Sequence, residues 1–220
     1  NDPQRHFVDM VAYADKAVGQ IVAQLEKSGV RDNTLLIFLN DNGGPIYTGV
    51  QSNGPLKLGK LFLFEGGVRV PMIVSWPGKL DMGKVYSKAT SSLDVFPTVC
   101  AAAGIDLPAA LPLDGVNLIP HLTGANSTAP HRVLFWSNGP NKAIRMGKWK
   151  MVKSGSHAWL FDLSKDLGES NNLAKKKPEV TEILQDALDE WLSGMAPPAW
   201  PSKPNRRKYD VDGVIYELNI

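Results

Sequence analysis

The chain has 220 residues, 43% apolar and 21% charged, with 24 Lys+Arg against 22 Asp+Glu, a balance that excludes wholesale disorder and leaves no basic stripe for nucleic acid. No uncharged apolar run approaches the ~18–20 residues of a membrane span. A single cysteine, Cys100, excludes an internal disulfide framework and a cysteine-based zinc cage.

The chain opens at Asn1 with neither an initiator Met nor a signal peptide, as a processed chain or a fragment does. Asp2-Pro3 supplies an N-cap and a first-turn proline, and Gly29 a stop. Between them Phe7, Val11, Ala14, Val18, Ile21, Val22 and Leu25 recur at three and four, which predicts a helix with one buried stripe. Thr34 to Leu39 has hardly a polar side chain and reads as a strand buried on both faces, as in a parallel sheet. It stops at Asn40-Asp41-Asn42-Gly43-Gly44-Pro45, a polar loop at the carboxyl end of a strand, where open α/β sheets place their sites. Residues 45–60 read as irregular loop, Glu65-Gly66-Gly67 as a turn, and Val68 to Trp76 as a second strand. Ser92 to Ala103 reads as a helix with Leu93, Phe96, Val99 and Cys100 on its apolar face and Gly104 as its stop. Residues 108–130, punctuated by Pro and Gly, read as a surface loop.

From residue 131 the texture changes to short strand-like runs, Val133–Trp136, Lys142–Met146, Trp149–Lys153 and Trp159–Phe161. They predict an antiparallel meander. After Pro178 the residues Val180, Ile183, Leu184, Ala187, Leu188, Trp191 and Leu192 predict a helix over one face of that sheet. The predicted architecture is α/β. Residues 1–128 form part of a core sheet with flanking helices, 129–196 a small antiparallel sheet packed on a helix, and 197–220 an extended tail.

Asp41 and Asn42 offer two hard oxygen ligands side by side, which suits Ca²⁺ or Mg²⁺, although Asp-Asn-Gly is also ordinary turn chemistry. Lys60, in a Gly-rich loop, is suited to hold an anionic oxygen as a point charge, or is simply a solvated loop lysine. Among the histidines, His6, His121 and His131 lie at a helix start and in Pro-flanked loops, and His157 at a hairpin tip.

These stretches taken in order resemble the type I sulfatase family, within the alkaline phosphatase superfamily. The resemblance rests on the strand closing in Asn40-Asp41-Asn42-Gly43, then Asn53-Gly54-Pro55-Leu56, Gly59-Lys60, Glu65-Gly66-Gly67-Val68-Arg69-Val70-Pro71 and Trp76-Pro77-Gly78. It continues through Leu93-Asp94-Val95-Phe96-Pro97-Thr98, Asp114-Gly115-Val116-Asn117-Leu118, Ala143 to Lys150, Leu160-Phe161-Asp162-Leu163 and Asp166 to Leu173. It covers about residues 7–195 and implies the C-terminal portion of a sulfuric ester hydrolase. Asp41 and Asn42 match the family's metal ligands, usually for Ca²⁺ and less often Mg²⁺. Lys60 matches the lysine that grips the sulfate ester oxygen and stabilises the leaving group. Asn40 departs from the family's Ser or Thr, while Glu65 and Arg69 match positions read as structural.

The family's nucleophile is a formylglycine made from Cys or Ser in a Cys/Ser-x-Pro-x-Arg motif near the N-terminus. The resemblance therefore implies that the nucleophile belongs to a missing N-terminal half, the chain's expected partner beside a sulfate ester substrate. Cys100 lies on an apolar helix face and is no substitute. Ser202-Lys203-Pro204-Asn205-Arg206 fits the motif literally but lacks its context. A periplasmic or secreted location is what the family implies. The alternatives are a phosphate or phosphonate monoester hydrolase of the same superfamily, or a catalytically dead module that binds sulfated glycans.

Overall fold

The carboxylate of Asp2 accepts hydrogen bonds from the amides of Gln4 and Arg5 (3.0 and 3.3 Å), and Pro3 takes the first helical position of α1 (Pro3–Lys27). Capping and the proline start the helix where the sequence places it, and Gly29, at φ 68°, ends it. The structure, a computed structural model, describes residues 2–107, 110, 112–197, 199 and 206–219. The literal Ser-x-Pro-x-Arg match at 202–206 thus falls almost wholly outside the described residues. Contacts divide the chain into two compact units, Asn1–Leu39 with Pro71–Arg132, and Asn40–Val70 with Val133–Ile220. The division differs from the three consecutive segments the sequence suggests, because residues 40–70 pack with the later part of the chain.

The first unit holds α1, β1 (Leu36–Leu39), β2 (Met72–Ser75), α3 (Val95–Ala102) and α4 (Ile119–Leu122). β1 and β2 pair antiparallel, Leu36 opposite Ser75 and Leu39 opposite Met72, so the neighbour of β1 is not the parallel strand expected. Nor are the apolar faces buried within this chain. Phe38 and Ile73 are 40% and 58% exposed, and α1 buries none of its residues, with Val11 and Ile21 more than half exposed. Two four-residue strands offer too little apolar surface to cover a 25-residue helix.

Over Ser92–Ala103, the turn Ser92–Asp94 and α3 together, the expected polarity is inverted. Leu93, Phe96 and Val99 are exposed and Cys100 half-buried, whereas Asp94, Pro97 and Thr98 are buried. Hydrogen bonding explains the inversion. The Asp94 carboxylate accepts from the amides of Ser91 and Val116 (both 2.8 Å) and meets His131 Nε2 at 2.8 Å. Thr98 Oγ1 accepts from the Leu118 amide at 2.9 Å. A polar clamp, not an apolar stripe, holds the segment around Asp114–Leu118 to the helix.

In the second unit β3 (Val133–Asn138), β4 (Asn141–Met146), β5 (Trp149–Ser154) and β6 (His157–Asp162) form the expected antiparallel meander in the order β3-β4-β5-β6. Its two-residue turns begin at Gly139, Gly147 and Gly155, all at positive φ, as a primed hairpin turn requires. Alternation assigns the faces. Ile144, Met151 and Leu160 meet Leu184 and Leu188 of α5 (Pro178–Ser193), and Phe135 stacks on Trp191 with centroids 4.9 Å apart. Ala143, Val152, Trp159 and Phe161 turn to the other face, where Phe62, Leu63 and Phe64 pack.

The expected extended tail is instead a hairpin, β7 (Arg206–Val211) and β8 (Val214–Asn219), joined at Asp212-Gly213. Val211, Tyr216 and Leu218 are buried in the same cluster as Phe62–Phe64. An Asp-Gly pair between alternating apolar residues is the strongest short-range hairpin signal, and it was the legible clue to this element.

Because Asp94 is fully buried and satisfies two amides, Asp94→Ala should destabilise the first unit by about 2–6 kcal/mol, at about 1–3 kcal/mol for each orphaned donor. Urea unfolding followed by amide exchange in Val95–Ala102 reads the loss, and Asp94→Asn, which keeps an acceptor in place, should lose less.

Candidate sulfate and metal site

Asp41, Asn42 and Lys60 come from two loops of the second unit, and backbone contacts hold those loops together. The Lys60 amide donates to Gly44 O at 3.1 Å, and the Gly43 amide to Gly67 O at 3.0 Å. Asn53 joins the two. Its Oδ1 accepts from the Gly44 amide (3.0 Å), while its Nδ2 donates to the carbonyls of Gly44 (3.0 Å) and Leu58 (2.9 Å). Asn53 opens the stretch Asn53-Gly54-Pro55-Leu56, whose spacing discloses nothing of this joining role.

The approach leaves no room for side chains at the crossing points. A Cβ on Gly43 would lie 1.7 Å from Gly66 O, and one on Gly59 2.1 Å from Gly44 O. Leu58 and Leu61, either side of Gly59-Lys60, have φ of 60° and 80°, the left-handed region that costs a branched side chain about 1–2 kcal/mol per residue. Such a backbone persists where its surroundings over-determine it.

Asp41 is exposed and accepts from the Asn42 amide at 2.9 Å. Asn42 donates its Nδ2 to Gly43 O at 2.9 Å, which leaves its Oδ1 as an acceptor. Two hard oxygens fit Ca²⁺ or Mg²⁺ in kind and fall short in number. Among the described residues no three His, Cys, Asp or Glu side chains gather as a metal cluster. Lys60 is half-buried, and among the described residues its ammonium has no carboxylate partner. Of the histidines, His131 serves Asp94, His121 Nδ1 lies 3.2 Å from Thr128 O, His6 is exposed, and His157 stands edge-on to Trp159 at 4.3 Å.

Beneath the loops lies an ionic network that the sequence did not disclose. Lys150, with no exposed surface, donates to Glu65 Oε1 at 2.8 Å and lies 3.2 Å from Glu169 Oε1, an ion pair whose alignment falls short of a hydrogen bond. Glu169 Oε2 accepts from the Glu65 amide at 2.6 Å, at the first residue of α2 (Glu65–Val68). Arg69 and Arg145 approach Glu65 Oε2 at 3.4 and 3.9 Å. Burial works against ionisation of Glu65, but Lys150, Arg145 and Arg69 outweigh it and hold the carboxyl below its usual range. In Glu169 burial prevails over Lys150 and the Glu65 amide, and the pKa is pushed up to about 7.

A carboxyl whose pKa is higher folded than unfolded binds its proton more tightly in the folded state. The stability from Glu169 is therefore full below its ordinary value of 4.5 and is lost as pH rises through about 7. The lowered carboxyls, Glu65, Asp162 and Asp166, act with the opposite sign and lose their contribution in acid, below this window. Urea unfolding of the second unit should show stability falling between about pH 5 and 7, by at most about 3 kcal/mol, and Glu169→Gln should flatten that slope.

Two family profiles match the chain, "Sulfatase" over residues 3–105 and "N-sulphoglucosamine sulphohydrolase, C-terminal" over residues 57–195. The uncharacterized sulfatase YdeN of Escherichia coli is 30% identical over 93% of this chain and 43% of its own length. Arylsulfatase A of Bos taurus is 36% identical over 81% of this chain and 41% of its own. The crystal structure of Ps i-CgsB superposes with a TM-score of 0.82 at 32% identity, over 91% of this chain and 45% of that one. The chain thus spans less than half the length of these relatives, matching their C-terminal portion. The resemblance seen in the motifs is therefore one of descent: this chain belongs to the sulfatase family.

Proposed function

We propose that this chain is the C-terminal portion of a sulfuric ester hydrolase and supplies three side chains to its active site. Asp41 and Asn42 give two of the oxygens around a divalent cation, Ca²⁺ before Mg²⁺, and Lys60 holds the sulfate. The cation, when bound, supplies positive charge that polarises the sulfuryl group. The Lys60 ammonium donates to the sulfate ester oxygen and stabilises the negative charge that grows there as the S–O bond breaks. The nucleophile, a formylglycine on this reading, lies in sequence outside this chain, so the chain by itself turns over no substrate.

The observation that carries the reading is the pairing of the two loops by Asn53 and Gly44, with the Lys60 ammonium left without a carboxylate among the described residues. Two oxygen donors and one cation brought to adjoining backbone segments suit an anion held beside a metal ion.

The test uses the full-length protein that carries this chain, with 4-nitrophenyl sulfate and 4-nitrophenyl phosphate as paired substrates. The sulfate should be the better substrate, and Lys60→Ala should lower kcat/KM about 10²–10³-fold, with Lys60→Arg retaining part of it. Asp41→Ala should weaken Ca²⁺ binding measured by calorimetry. Unchanged turnover in Lys60→Ala, or turnover by the isolated 220-residue chain, contradicts the assignment.

A further inference from the structure

The hairpin β7–β8 lies beyond residue 195, where the second family profile ends, yet it grips the segment that carries Lys60 on both sides. Before Lys60, the Lys57 ammonium pairs with Asp212 Oδ2 at the hairpin turn (2.5 Å) and donates to the Glu169 carbonyl (3.2 Å). It also lies over the rings of Phe64 and Phe161, 5.4 and 5.9 Å from their centroids. After Lys60, the Leu63 amide donates to the hydroxyl of the fully buried Tyr216 at 3.3 Å. Phe62 packs against both Tyr209 and Tyr216, each centroid 5.3 Å away.

From this placement we infer that the C-terminal hairpin is a positioning element for Lys60, with Asp212 and Tyr216 as its contacts. The inference rests on the role proposed for Lys60. Between the two grips the backbone enters the left-handed region at Leu58 and again at Leu61, so the segment would relax if its ends were released. A hairpin that only filled the core would need apolar contacts and nothing more. This one places a carboxylate, half exposed at 49%, on a lysine that is 15% exposed. With its carboxylate half open to water the pair adds less to global stability than a fully buried one, which leaves orientation of Lys57 and its loop as its principal effect.

Asp212 sits at φ 55°, a conformation that asparagine adopts readily, so Asp212→Asn removes the charge and keeps the turn. In the 220-residue chain, Asp212→Asn and Lys57→Met should each speed amide exchange at Lys60, Phe62 and Gly66 at least about tenfold, leaving Pro178–Ser193 unchanged. Lys57→Arg should restore protection. Unchanged exchange, or equal acceleration in the helix, overturns the inference.

In the full-length protein, Asp212→Asn should cost about tenfold in kcat/KM for 4-nitrophenyl sulfate when Lys60 is present and nothing in the Lys60→Ala background. Equal losses in both backgrounds also overturn it. If Lys60→Ala alone leaves kcat/KM unchanged, the role assigned to Lys60 fails, and the exchange experiment still decides whether the hairpin holds the loop.

Discussion

Lys150 has no surface in contact with solvent, and a buried ammonium is tolerated only where carboxylates surround it. That requirement draws Glu65 and Glu169 to it from positions 85 and 19 residues away, to 2.8 and 3.2 Å. Glu65 opens α2, and the next two residues, Gly66 and Gly67, form the surface on which Gly43 rests. The position of the Asp41-Asn42 loop therefore follows from a charge balance made well beneath it. Replacing Lys150 or Glu65 would leave an unpaired charge in an aromatic core, so the network is more exacting than an apolar cluster of equal volume.

Charge is shared unevenly within this network. One lysine faces two glutamates, and the two arginines near Glu65 approach from its other oxygen. Glu65 consequently keeps its charge and Glu169 is the group that gives way to burial. The asymmetry follows from position. Glu169 is fully buried and spends one oxygen on the Glu65 amide, whereas Glu65 has cations at both oxygens.

Local patterns disclosed much of the fold. The period of three and four predicts α1 and α5, short strand-like runs separated by Gly, Asn and Ser predict the meander, and motif order points to the family. Patterns failed where polar contacts decide burial. Leu93, Phe96 and Val99 look like a core face, yet Asp94 and Thr98 turn inward because amides from a distant segment must be satisfied there. Lys150 shares a face with Val152, but a lysine in a strand is ordinarily read as exposed, and only its glutamates explain otherwise. Asp41, Asn42 and Lys60 were legible as residues. The side chain of Asn53 that joins their loops was not, because a hydrogen bond across nine residues of irregular chain leaves no periodic trace.

Three lysines of the second unit show how context assigns different work to one side chain. Lys150 is locked between glutamates, and Lys57 is held by Asp212 and a carbonyl above two aromatic rings. Lys60 has a backbone held by Gly44 and no carboxylate for its ammonium among the described residues. A cation fixed at its root and unpaired at its tip suits an anion brought from outside, because binding then neutralises it without breaking an internal pair. Partners already committed to Lys57 and Lys150 make those two unsuitable for the same task. On the proposed reading, the carboxylates beside Lys57 and Lys150 serve structure, while Asp41 is kept for the cation and Lys60 for the sulfate.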